Sequence, residues 1–501
     1  MIDVRSIQNE SGQAMDIKKR NVVIAIMVAM FLGAVEGTVV TTAIPTIVKD
    51  LSGVGLISWI FSAYFLTSAI TTPIYGKLAD LYGRKKTLSV GIVIFLVGSA
   101  LCGLSQTMYQ LIVFRVLQGM GAGAIFTVTY TIVGDIFTLA ERAKVQGWLS
   151  GVWGFASVIG PLVGGFLIDW LSWHWVFFIN IPFGILSIML FQMNYDETIE
   201  KKRVEIDYSG TVLLSLALIA LLTGFLLGGQ GKGWEGGTLK LSLGLFALAI
   251  ILLAAFYFVE KKAAEPVIPF SILTKTSIVV NAISFLASAA LIGADVYLPV
   301  YIQSVLGFSA TISGLSMSPM SISWMLASVV LAKAIPKYGE QAVIGLSTAI
   351  LLLSCVLLST LDIQSSLVLV IIYNFIMGVG FGGAFTAMII VIQAAVGYEQ
   401  RGAATALNSL VRTLGNTIGV SIFGMIFNLK IIGYFNSLGV KGIDPNNLYN
   451  QVGVISGVSL HTIQSSLISA IHVVFTSLIV IAVLCLLLSF LLPSNLKEQA
   501  K

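Results

Sequence analysis

Charge is what this sequence has least of. Of 501 residues only 10% are Asp, Glu, Lys or Arg, while 57% are hydrophobic. Soluble domains carry about 25% charged residues, so an aqueous globule is excluded and lipid is the solvent. Histidine is scarce too: His174, His461 and His472 stand apart, with no partners that would complete a catalytic constellation. The three cysteines, Cys102, Cys355 and Cys485, lie in apolar runs and offer neither a disulfide framework nor a metal-binding spacing. They read as small packing residues. With no nucleotide-binding loop and no metal cluster, neither an enzyme nor a cofactor is expected. The net charge of +5 comes from basic residues dispersed among short loops, which argues against nucleic acid as a partner. A cleavable signal peptide is not expected, because the chain is polar through Arg20 and its first apolar run is too long for one.

Long apolar runs are what the sequence has in abundance. Runs of roughly 20 residues predict spanning helices. Fourteen are expected, near 21–44, 57–76, 87–105, 109–133, 146–168, 174–193, 209–228, 239–259, 277–301, 312–332, 341–360, 366–396, 402–428 and 466–492. With the N-terminus inside, 21 of the 28 Lys and Arg residues fall in cytoplasmic segments and 5 outside, and Arg115 and Arg412 stay in the membrane. That bias orients the chain with both termini cytoplasmic. The expected class is an all-α, multi-pass cell-membrane protein.

The chain also repeats itself. "GKLADLYG" (76–83) aligns with "AKAIPKYG" (332–339), "RVLQGMGAG" (115–123) with "NFIMGVGFG" (374–382), and "ER" (141–142) with "QR" (400–401). The offsets, 256, 259 and 259, are nearly constant and map helix 2 onto helix 10 and helix 4 onto helix 12. Eight helices per offset predicts two parallel six-helix halves, 1–193 and 277–501, with a charged linker and two extra helices in 194–276.

Two acids lie well inside apolar helices, Glu36 in "GAVEGTVVTTAIP" (33–45) and Asp295. Intramembrane charges are costly and functional by default. At about 1.5 Å per residue, Glu36 is about 22 Å from the cytoplasmic start of its helix. Arg115 is about 9 Å from the outer start of helix 4. In a core of about 30 Å these depths nearly coincide, so the two are expected to meet in the first half's cavity. Asp295 sits at about 25 Å from the inside, in the second half. Burial favours the neutral form of a carboxyl group and a nearby cation the ionised form, so such an acid can exchange a proton for a cationic solute. Arg412 is the other intramembrane charge, and its role stays open here.

Several stretches carry a resemblance to a known family. "GKLADLYGRKK" (76–86) resembles the loop signature of the major facilitator superfamily, with Gly76, Asp80, Gly83 and Arg84 at its marked positions. "LIVFRVLQGMGAG" (111–123) is similar to the superfamily's helix-4 motif, and "GFASVIGPLVGG" (154–165), with Gly160, Pro161, Gly164 and Gly165, resembles the helix-5 motif associated with antiporters. "VEGTVVTTAIP" (35–45) looks like the first-helix signature of the fourteen-helix drug:proton antiporters, where the acid is commonly Asp rather than Glu36. "WHWVFFINIPFG" (173–184) resembles another stretch of that family, with His174 in place of an Arg, and "YLPVYIQSVLGFSATISGLSMSP" (297–319) a third.

The resemblance implies a major facilitator fold with helices arranged 6+2+6. It also implies a monomeric bacterial multidrug exporter that moves small amphipathic or cationic compounds by alternating access, driven by the proton gradient. In that reading Glu36 and Arg115 couple protons, Glu36 and Asp295 meet substrate, and the loop and helix-5 residues, with Arg142, form the conformational motifs. Export of one physiological solute, such as an amino acid, peptide, lipid or siderophore, stays open, and so does a non-transporting receptor or channel.

Overall fold

Backbone in lipid has no water to bond, so each apolar run must satisfy its own amides by coiling into a helix. The computed structural model describes residues 17–137, 139–197, 207–228, 236–263, 266, 268, 270–397, 400–440, 443, 445, 448 and 459–492. All regular structure among them is helical. The first six helices are α1 (Ile17–Leu51), α2 (Ile57–Tyr82), α3 (Arg84–Gly103), α4 (Met108–Ile136), α5 (Leu139–Trp170) and α6 (Asn180–Asn194, preceded by a single turn at Trp175–Phe178). Two more follow, α7 (Tyr208–Gly228) and α8 (Gly236–Glu260). The last six are α9 (Lys275–Val300, running on into a π-helical turn at Tyr301–Val305), α10 (Ala310–Tyr338), α11 (Glu340–Leu358), α12 (Leu367–Ala394), α13 (Arg401–Ser437) and α14 (Leu460–Ser489).

Thirteen helices among the described residues are long and apolar enough to cross a membrane, and α7 has a shorter apolar stretch, Ser209–Phe225. Several helices outrun the apolar runs that predicted them. α1 continues across Pro45 to Leu51, and α13 runs to Ser437 because Ile431 and Phe435 near its end are still buried.

The packing repeats eight helices apart. α1 packs on α5 and α6, α2 on α4, and α3 on α4 and α6; correspondingly, α9 packs on α13 and α14, α10 on α12, and α11 on α12 and α14. The correspondence reaches single residues. A Cβ on Gly119 would lie 2.4 Å from the carbonyl oxygen of Tyr64, and one on Gly378 would lie 2.1 Å from that of Met320. These are the same crossing at the repeat offset, and in both the absent side chain lets the helices touch.

The two six-helix sets meet through α5 on α10 and α2 on α13. Their hydrogen bonds gather toward the end of the bundle that carries the 51–57 and 305–310 turns. There Gln303 donates to the Thr42 carbonyl (2.9 Å), Asn428 donates to the Gly55 carbonyl (3.0 Å), the Ser62 and Ser421 hydroxyls bond (3.2 Å), and Asp169 accepts from the Thr311 amide (2.8 Å). α7 lies outside this pair of seams, with Leu214 and Leu218 packed among Ile70 of α2 and Leu410 and Leu414 of α13. α8 leans on α7 and leaves most of its surface outward.

Candidate functional site

Glu36 lies midway along α1 and is 1% exposed, as is Arg115 on α4. The Arg115 Nη1 donates to Glu36 Oε1 and, at 2.8 Å, to Gln118 Oε1, while its Nε donates to the Ile60 carbonyl at 3.1 Å. Its guanidinium carbon stands 4.2 Å from the centre of the Tyr64 ring. Asn180 Nδ2 donates to the other carboxylate oxygen at 2.7 Å and to Ser99 Oγ at 3.0 Å, and Gln118 Nε2 also donates to Ser99 Oγ. Helices α1, α2, α3, α4 and α6 thus converge on one ion pair. A desolvated pair is tolerable only when its remaining lone pairs and protons are satisfied in this way.

Depth arithmetic correctly brought Glu36 and Arg115 together. The cavity-facing orientation is corrected: the pair is sealed inside the first six helices. Successive residues turn 100° about a helix axis, so Gly37 and Thr38 keep accessible surface and Glu36 does not.

Asp295 on α9 faces the other way. In the α9 stretch 287–300 only Leu291 and Asp295 keep accessible surface, and they lie on one face, four residues apart. Gln303, two turns further along that face, reaches Thr42 of α1. Asp295 therefore looks into the space between the two helix sets. No hydrogen bond or ion pair to it is found among the described residues.

Arg115 and Asn374 stand 259 positions apart, whereas the place of Glu36 is taken on α9 by Ala287: Gly160 and Gly164 abut Thr38 and Thr42 as Gly419 abuts Ala289 and Phe423 abuts Gly293. Asn374 Nδ2 donates to the Ser316 carbonyl at 3.3 Å, the counterpart of the Arg115 bond to Ile60, and its buried Oδ1 has no partner among the described residues. The second set thus has an amide where the first has a cation, and its own acid, Asp295, sits elsewhere on α9.

The loop signature forms its turn at one glycine. Gly83 has φ +91°, where a side chain would be strained, and a Cβ there would meet the Glu197 carboxylate at 2.5 Å. That carboxylate accepts from the Lys85 amide at 3.1 Å and caps α3, and Arg84 Nη1 donates back to the Ala79 carbonyl. Gly76, expected in the turn, sits inside α2 with only an ordinary contact to Thr127. The side chains of Asp80 and Arg142 lie outside the described residues.

In α5, Cβ atoms on Gly160 and Gly164 would fall 2.0 and 2.4 Å from the Thr38 and Thr42 hydroxyls of α1, and one on Gly165 would fall 2.5 Å from the Ala310 carbonyl of α10. Gly314 of α10 answers with a Cβ position 1.9 Å from the Pro161 carbonyl. The helix-5 stretch is thus a two-sided seam, joining α5 to its own set and to the other.

The sequence profile of the Major Facilitator Superfamily matches residues 26–420. The chain belongs to the major facilitator superfamily. It is 33% identical to the multidrug transporter protein MdtP of Bacillus subtilis (strain 168), over 98% of this chain and 96% of that protein. It is 31% identical to the multidrug efflux pump SdrM of Staphylococcus aureus (strain N315), over 88% and 96%. In fold it is similar to a bacterial homolog of the human lysosomal transporter Spinster in an inward-facing, occupied conformation (TM-score 0.68, 17% identity, 95% of this chain and 97% of that one). Membership of the major facilitator superfamily makes the chain a multi-pass cell-membrane transporter and not an enzyme.

Four residues of the site were not foreseen from the sequence: Ser99, Asn180, Glu197 and Asp169. Asn180 was the most findable, as a polar residue in the run "VFFINIPFG" that membrane burial obliges to find a partner.

Proposed function

We propose that this chain exports small amphipathic, cationic drugs or dyes across the cell membrane in exchange for protons, by alternating access and as a monomer. Its similarity to proteins named as multidrug transporters and efflux pumps supports the export of drugs. The topology we propose has fourteen spans as 6+2+6, with halves 1–193 and 277–501, the linker and α7–α8 in 194–276, and both termini cytoplasmic. The distribution of Lys and Arg supports that orientation. The hydrogen-bonded end of the bundle is then extracellular, so this conformation is closed to the outside.

One observation carries the exchange reading: the two intramembrane carboxylates differ in their counter-charge. Asp295 faces the space between the halves with no cation beside it and accepts a cationic solute or a proton. Glu36 is the proton-coupling residue and Arg115 sets its charge balance. A proton on Glu36 neutralises the carboxylate, leaves the Arg115 charge uncompensated and loosens the tie between α1 and α4, which converts a protonation event into helix movement. Gly76, Asp80, Gly83, Arg84 and Arg142 on the cytoplasmic side, and Gly160, Pro161, Gly164 and Gly165 in α5, guide that movement.

The experiment is uptake of a lipophilic cation dye into inverted vesicles with an imposed proton gradient. The parent should accumulate dye, a protonophore should abolish accumulation, and both Glu36→Gln and Asp295→Asn should lose it at normal expression. Uptake that ignores the protonophore defeats proton coupling, and parental uptake by either variant defeats the role given to that carboxylate.

A further inference from the structure

The exchange reading leaves one intramembrane charge unused. Arg412, on α13, keeps accessible surface although protein surrounds it, and among the described residues it has neither a carboxylate nor a hydrogen-bond acceptor. Its guanidinium carbon lies 4.1 Å from the centre of the Phe385 ring. Phe385 stacks in turn on Trp324 (5.3 Å, 16°) and Phe381 (5.8 Å, 16°), so the cation rests on a continuous aromatic wall.

The repeat shows what is special here. Phe126 stands 259 positions before Phe385, and Trp153 stands 259 before Arg412. In the first set Trp153 stacks on Phe126 (5.5 Å, 22°). The second set makes the same contact with a guanidinium in place of the indole. The two sides face one another across the cleft. Tyr130 of α4 bonds to Trp153, and its hydroxyl lies within electrostatic reach of Arg412 in the other set. Tyr130 and Trp153 are 42% and 40% exposed, which leaves their faces open to that space.

A guanidinium presents five donors in a planar fork and cannot shed its charge. In a membrane such a group pairs with an anion or lines a water-filled path. Stacked arginine suits planar, charged ligands, because the ring face holds the guanidinium while its edge stays free to bond a carboxylate.

We infer that Arg412, with Phe385 and Trp324 on one side and Tyr130 and Trp153 on the other, is a binding site for the carboxylate of an amphipathic aromatic acid, whether a simple anion or one end of a zwitterion. The inference deepens the export reading and rests on it: the transported compounds then include carboxylates as well as cations. Level with the 282 region of α9, by way of the Gly415 contact to Phe285, the site lies about 20 Å along the bundle from Asp295 at about 1.5 Å per residue. The two therefore hold different ligands or successive positions of one.

A matched set of pyrene probes tests this: pyrenebutyrate, pyrenebutanol and pyrenebutylammonium, identical except for the head group. Binding to purified full-length protein in detergent is read by energy transfer from tryptophan, without any gradient. Wild type should bind the butyrate at least tenfold more tightly than the butanol. Arg412→Gln should remove that preference and leave the butanol unchanged, and Arg412→Lys should retain part of it. Butyrate bound no better than butanol by wild type overturns the proposal, and so does an Arg412→Gln protein that keeps the preference. If Arg412→Gln does not fold, the wild-type comparison and the Lys variant still decide. Because no gradient is used, the site can stand while proton-driven export fails. Pyrenebutylammonium uptake in vesicles, measured alongside, reports on the export reading separately.

Discussion

Arg115 and Asn374 occupy the same place in the two six-helix sets and reach the same carbonyl of the neighbouring helix, at Ile60 and at Ser316. Arg115 brings a charge that Glu36 takes up, whereas Asn374 brings none and has no acid to meet among the described residues. An approximate two-fold scaffold has become electrically one-sided. Asn374→Arg should bury a charge with no acid beside it, because Ala287 stands where Glu36 would have to be and Asp295 faces the space between the sets. We expect a lower thermal midpoint in detergent, at a cost of about 3–5 kcal/mol for an uncompensated buried charge; an unchanged midpoint would mean that an acid is within its reach.

The Glu36–Arg115 pair predicts unequal single variants. Breaking a buried pair by removing one partner costs about 3–5 kcal/mol. Glu36→Gln is the milder change, because Arg115 keeps Gln118 and the Ile60 carbonyl, while Arg115→Gln leaves the carboxylate with Asn180. Thermal midpoints in detergent should therefore fall further for Arg115→Gln. The double variant should recover a coupling of about 0.5–3 kcal/mol relative to additivity; strictly additive losses would count against a direct pair.

Glycine positions separate by what a methyl group would strike. Gly314→Ala puts a Cβ 1.9 Å from the Pro161 backbone carbonyl, which can give way only by moving a helix. Overpacking of this kind costs about 1–3 kcal/mol. Gly76→Ala meets nothing nearer than 3.5 Å and should leave stability unchanged. Equal effects of the two substitutions would refute the seam between α5 and α10.

Asp169 ties α5 to the first amides of α10, at 3.3 Å to Ala310 and 2.8 Å to Thr311. A carboxylate at a helix N-terminus contributes about 0.3–1 kcal/mol, up to about 2 kcal/mol where partly buried. Asp169→Asn should shift the population toward separation at that end. A cysteine at Ser421, in a protein lacking Cys102, Cys355 and Cys485, should then react roughly 2–10 times faster with an impermeant maleimide. An unaltered rate would remove the latch from the closing mechanism.

Glu197 caps α3 across a loop rich in tryptic sites. Losing an N-cap acceptor costs about 0.5–2 kcal/mol, so Glu197→Gln should speed trypsin cleavage at Arg84, Lys85 and Lys86 in inverted vesicles. Identical digestion of variant and parent would show that the cap does not hold the loop.

What could be read in advance followed from distance along the chain. Apolar runs marked the helices, constant offsets marked the repeat, and rise per residue set Glu36 level with Arg115. Rotation about the helix axis was not readable. α1 is apolar all round, because core, cavity and lipid are all apolar surroundings, so nothing in its pattern said that Glu36 turns inward. Partners from distant helices, Asn180 and Ser99, were hidden for the same reason. Gly76 was misplaced because a glycine does not end a helix whose neighbours still pack on it. The contrast between Trp153 and Arg412 was in the sequence, but it became meaningful once the stacking on Phe126 and Phe385 showed that both residues do the same job.

α7 and α8 break the symmetry of access from the bilayer. A compound dissolved in lipid could approach the space between the two sets along either seam, α5 with α10 or α2 with α13. α7 bridges Ile70 and Leu410 over the second seam, and α8 stands outside it. The α2–α13 flank therefore carries a cover that the α5–α10 flank lacks. On the export reading proposed above, cargo recruited sideways from the membrane would enter past α5 and α10, and the covered flank must stretch or slide each time the two sets rearrange.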